Sequence, residues 1–154
     1  MRKLITFCLA FMFLAPQAYA ESGVYKVSAS LPLEDAYQKV YESLEKNRFW
    51  VVFEANIGKN ISGFADKWGE DYNRQKLEGI RSMVFCNGWY ANQVSNADPD
   101  MLALCPLSLT MIHKDGQSTV LFVRPTAVAG NSPALTVLQE LENEVIASIE
   151  TALK

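Results

Sequence analysis

The sequence holds one histidine and three cysteines in 154 residues, and it has no cluster of basic side chains. Each shortage excludes something. His113 has no metal-ligand motif around it and reads as an exposed strand-end residue, so no metal is expected. The G-x-S-x-G, Walker, H-E-x-x-H and Rossmann patterns do not occur, which removes the hydrolases, nucleotide binders and metalloproteases that carry them. No cofactor is expected, and the balance leans against an enzyme. Without Arg2 and Lys3, the 14 basic side chains fall to 12 against 17 acidic ones, a net charge of −5. A nucleic-acid surface must neutralise phosphates, so no nucleic-acid partner is expected.

Long apolar runs are also missing. The one candidate, Leu4 to Leu14, is shorter than the ~20 residues a spanning helix needs. Arg2 and Lys3 precede it, Pro16 breaks it, and Ala18-Tyr19-Ala20 follows as a small-x-small cleavage site. That pattern is a secretory signal peptide over residues 1–20, and Cys8 leaves with it. The expectation is an exported, periplasmic protein that begins at Glu21 and has no membrane span after processing. Residues 21–154 form one domain by length, large enough to bury a core.

Within that domain the elements alternate. Val24 to Ser28 reads as a strand. Leu31-Pro32-Leu33-Glu34-Asp35 opens a helix, since proline suits the first turn and carboxylates favour its positive end. Leu33, Ala36, Tyr37, Val40 and Leu44 mark the buried stripe of that helix, and Asn47 is its expected left-handed stop. Phe49 to Glu54 is β-branched and aromatic, with Phe49, Val51 and Phe53 expected on one side. Ile57, Ile61, Phe64, Ala65 and Trp68 have helical spacing and read as core. Ile80 to Cys86 is a strand. Asn87 then caps a short helix carrying Trp89, Tyr90 and Val94, and Asp98-Pro99 repeats the pattern of a cap followed by proline. Leu107 to His113 and Ser118 to Arg124 form a hairpin around Asp115-Gly116. Ser132-Pro133 opens the last helix. Leu135, Leu138, Leu141, Val145, Ile149 and Leu153 face its core, with Glu140, Glu142, Glu144 and Glu150 pointing elsewhere. The order predicts an α+β fold, a mostly antiparallel sheet covered by helices on one face.

Phe85-Cys86-Asn87, the helix bearing Ala91, Leu104-Cys105-Pro106 entering a strand, Asp115-Gly116 and the strand end Arg124-Pro125 resemble the domain of unknown function 302 family. The resemblance runs from about Leu33 to Leu153. Gly88 stands where many members have proline, and Cys105 precedes Pro106 where some members carry the cysteine after it. The resemblance implies a fold similar to the TATA-box-binding-protein-like β-α-β(4)-α arrangement, without DNA binding. It carries no catalytic residues.

Two sets of residues are candidates for function. Cys86 and Cys105 are the only thiols left after export, and an even pair in an oxidising compartment reads as a disulfide. Closing a loop of this length stabilises by ~3 kcal/mol in the chain-entropy model. A redox pair is the alternative. Asn87, Trp89 and Tyr90 form the second set. Adjacent aromatics on a helix point about 100° apart, so both cannot face the core and one can line a groove. Arg124, at a strand end, either pairs with a carboxylate or holds an anionic ligand. The leading reading is a non-enzymatic domain that binds a small ligand or a periplasmic protein, with a homodimer as one arrangement. The alternative is a thiol-disulfide redox protein using Cys86 and Cys105.

Overall fold

The computed structural model describes residues 23–154. The expected signal peptide and the start at Glu21 lie outside the described residues. Five strands pair antiparallel throughout: β1 (Val24–Ala29), β2 (Trp50–Asn56), β3 (Gly79–Cys86), β4 (Leu107–Lys114) and β5 (Gln117–Val123), in the order β1-β5-β4-β3-β2. Two long helices, α1 (Leu33–Lys46) and α6 (Leu135–Leu153), cover one face. The shorter helices are α2 (Ile57–Ser62), α3 (Ala65–Trp68), α4 (Gly88–Ala97) and α5 (Pro125–Ala129), with a 3₁₀ turn at Pro99–Leu104. Without these short pieces the chain reads β-α-β(4)-α, the arrangement the resemblance implied.

The core follows from the two periodicities. Ala36, Tyr37, Val40 and Leu44 of α1 meet Leu141, Val145 and Ile149 of α6 above Met83, Phe85, Leu109, Met111, Val120 and Phe122 of the sheet. Burying each large side chain there contributes roughly 1.5–3 kcal/mol. A smaller cluster of Val94, Ala129, Ala134 and Leu138 ties α4 and α5 to α6. The hairpin turn is the two-residue form, with Asp115 at φ 51° and Gly116 at φ 72°. Positive φ at both central residues matches the strand twist, and glycine tolerates it because it has no Cβ.

Four expectations are corrected. The left-handed residue after α1 is Arg48, at φ 64°, while Asn47 sits at φ −94°. The strand after it does not keep its alternation, because a β-bulge falls between Val51 and Phe53. The extra residue reverses the facing of the rest of the strand, so Phe53 points away from the helices. The helix expected over Ile57 to Trp68 breaks at Gly63-Phe64, where helix propensity is poor. Its aromatics are not core: Phe64 and Trp68 stack on each other at 5.1 Å and are exposed. Glu142 does not point to water either. It is 1% exposed, because Arg124 and Thr126 reach it from the end of β5.

Candidate functional site

Antiparallel pairing brings the start of β2, the end of β3, the start of β4 and the end of β5 to one end of the sheet. Asn87, Trp89, Tyr90, Arg124 and both cysteines all lie there. The structure gives them different tasks. Asn87 is buried, and its Oδ1 accepts from the backbone N–H groups of Trp89 at 3.0 Å and Tyr90 at 3.4 Å. That is the expected cap, and it leaves the side chain engaged locally. Tyr90 turns inward, 7% exposed, and stacks on Phe49 with centroids 6.2 Å apart. Burial pushes its phenol up to about 12, with Glu144 adding to the rise, so it stays protonated at neutral pH. Trp89 turns outward and is 65% exposed.

Arg124 makes the carboxylate pair. Its Nη1 donates to Glu142 Oε1 at 3.0 Å, while the Thr126 backbone N–H and hydroxyl donate to Oε2 at 3.0 and 2.6 Å. The guanidinium also lies 5.7 Å over the Tyr25 ring. His113 is more engaged than a free strand-end histidine: its Nδ1 is 2.9 Å from the Ser118 hydroxyl and its Nε2 is 3.5 Å from Glu78.

The expected disulfide is not formed. Cys86 and Cys105 are both free and half-buried. Cys86 ends β3 and Cys105 follows the 3₁₀ turn, so the chain brings them to the same sheet end without joining them. Burial pushes the Cys105 thiol up, and the neighbouring Cys86 adds to it. A raised thiol is a poor nucleophile at neutral pH.

Two features escaped the sequence reading. At the opposite end of the sheet, a cavity of about 400 Å³ opens beside Leu33, Glu34, Asn56, Lys59, Glu78 and Arg81. Arg81 sits 4.1 Å over the Tyr37 ring and donates to Glu34 at 2.5 Å, with Glu54 at 3.6 Å. Arg81 is thus paired with carboxylates, and it meets Glu34 across 47 residues of sequence, beyond any local pattern.

The second feature is the sheet face that α1 and α6 leave open. Trp50, Val52 and Phe53 stand on it, 55%, 63% and 62% exposed. The bulge produces this run, since regular alternation would have turned Phe53 toward the helices. Trp50 pairs with Cys86 and Phe53 with Val84, which pairs in turn with Ser108. Ser82 and Thr110 pair beside them, and the Thr110 hydroxyl donates to Ser82, which donates to the Leu109 carbonyl at 2.8 Å. The face therefore carries a ridge of large apolar side chains along β2 and, beside it on β3 and β4, Ser82, Val84, Ser108 and Thr110, of which Ser82 and Thr110 are hydrogen-bonded to each other. A patch of this kind marks a contact surface more often than scattered apolar residues do.

No curated protein matches the chain. A crystal structure of an uncharacterised conserved DUF302 protein from Bacillus stearothermophilus is similar in fold, with a TM-score of 0.73 and 20% identity, over 87% of this chain and all of that one. The family described as Domain of unknown function DUF302 matches residues 25–154, and the chain belongs to it.

Proposed function

We propose that the protein is a non-enzymatic, exported binding domain that holds a partner on the open face of its sheet. The observation that carries this reading is the run Trp50, Val52, Phe53, three large apolar side chains more than half exposed on a helix-free face. Aromatic side chains give large contact area at low entropic cost and supply much of the energy of binding sites. Trp89 is exposed at the end of the sheet, whereas Tyr90 is core. Native mass spectrometry of protein taken from its own compartment tests the reading. A bound species is expected on the wild type and on Phe64→Lys, and its loss is expected in Phe53→Lys. Bare protein in all three would sink the reading.

A second reading, thiol-disulfide exchange at Cys86 and Cys105, draws support from their placement at one end of the sheet, where Phe85 beside Cys86 pairs with Leu107 two residues after Cys105. The raised Cys105 thiol fits a pair stable as a bridge better than an attacking thiolate. The pair is reduced in the structure, and alkylation before and after reduction is expected to find it bridged in the protein exported to an oxidising compartment, with Cys105→Ser then losing ~2–5 kcal/mol of stability. Full alkylation without reductant would remove the bridge.

A further inference from the structure

We infer that the occupant of the open face is a second copy of this chain, packed face to face about a two-fold axis running along the strands. The inference rests on the binding-surface reading above and names its partner. It begins with shape. The ridge of Trp50, Val52 and Phe53 and the floor of Ser82, Ser108 and Thr110 lie on the same face, separated by one or two strands at about 4.8 Å each. A two-fold axis near β3 sets the ridge of each copy over the floor of the other. An isologous contact needs a surface that is its own complement, and a ridge beside a trough of similar length is one.

The chemistry agrees. The floor hydroxyls of Ser82 and Thr110 already hydrogen-bond within the sheet, so covering those two with apolar atoms strands neither donor. Ser28 and Thr119 are likewise paired with each other, at 2.8 Å. The chain has 17 acidic residues, yet none stands among the outward residues from Trp50 to Phe53, Ser82 to Cys86 or Ser108 to Thr110. Within β2 to β4 no carboxylate opposes a second copy, and the outward Lys26 stands on β1, two strands outside that strip.

Area and edge geometry narrow the mode. The three ridge side chains expose on the order of 350 Å², nearly half of the ~800 Å² that each partner contributes to a standard interface. The floor of β3 and β4 extends the same face. The alternative, adding a strand at the free edge of β2, is opposed by the bulge between Val51 and Phe53, which interrupts the ladder there.

Sedimentation equilibrium of the purified protein decides the matter. A dimer is expected, with its dissociation constant raised at least tenfold by Phe53→Lys on the ridge and by Ser108→Lys on the floor. Both positions are exposed, so the monomer stays folded and helix content stays at the wild-type value. Phe64→Lys, exposed but on the insert, leaves the dimer intact. A dimer indifferent to both face substitutions overturns the inference. A wild-type monomer overturns it too, and native mass spectrometry then separates the cases. A monomer carrying another species, lost in Phe53→Lys, leaves the binding surface standing. A bare monomer removes both.

Discussion

Glu142→Ala is expected to destabilise the protein by about 3–5 kcal/mol, as removal of one partner from a buried ion pair does. Glu142 is nearly inaccessible and accepts three hydrogen bonds, from the Arg124 guanidinium and from the backbone and hydroxyl of Thr126. These bonds pin the end of β5 and the start of α5 to the middle of α6. Taking the carboxylate away removes the acceptor that the mostly buried guanidinium and the Thr126 amide share. Glu142→Gln keeps an acceptor of the same shape and is expected to lose less. Urea unfolding of both variants measures the difference. A loss below about 1 kcal/mol for Glu142→Ala, the range of exposed ion pairs, would mean that water replaces the carboxylate at no great cost.

The second large effect separates two adjacent aromatics. Tyr90→Ala is expected to cost about 3–5 kcal/mol, the range of core aromatic truncations, because its ring stacks on Phe49, which in turn meets Phe85 edge-on at 6.1 Å. Trp89→Ala is expected to stay within about 0.5 kcal/mol, as exposed substitutions do. Thermal unfolding of the pair tests the assignment. Equal losses would place Trp89 in the core as well and take it out of the contact surface.

What was legible in the sequence was what local chemistry dictates. Asp115-Gly116 announces its turn because the two residues themselves supply the positive φ that a tight hairpin needs. Asn87 announces its cap because the hydrogen bonds it accepts come from two and three residues ahead. The stripes of α1 and of α6 from Leu138 to Ile149 are visible because one helix face is buried there, while Leu135 at the start of α6 stays exposed. The rest depends on partners distant in sequence. Nothing near Glu142 reveals that Arg124, 18 residues earlier, will bury it. Glu34 and Arg81 meet across 47 residues. The ridge was hidden for another reason. Phe49 to Glu54 alternates as an ordinary half-buried strand, and only pairing with β3 shows where the extra residue falls. One displaced residue took Phe53 off the side it was expected to share with Phe49 and Val51 and set it at the centre of the candidate surface. Of the residues singled out at the end of β3, Trp89 alone remains at the surface, because the cap directs Tyr90 to the core.

The placement of the three tryptophans has a spectroscopic consequence. Trp50, Trp68 and Trp89 are 55%, 42% and 65% exposed, and the chain has no others. The buried aromatics of the core are phenylalanines and tyrosines, which emit weakly beside indole. The folded protein therefore fluoresces with its indoles already in contact with water. Its emission is a poor gauge of unfolding and a sensitive one of anything that dries the open face, with Trp50 as the indole that would shift to the blue.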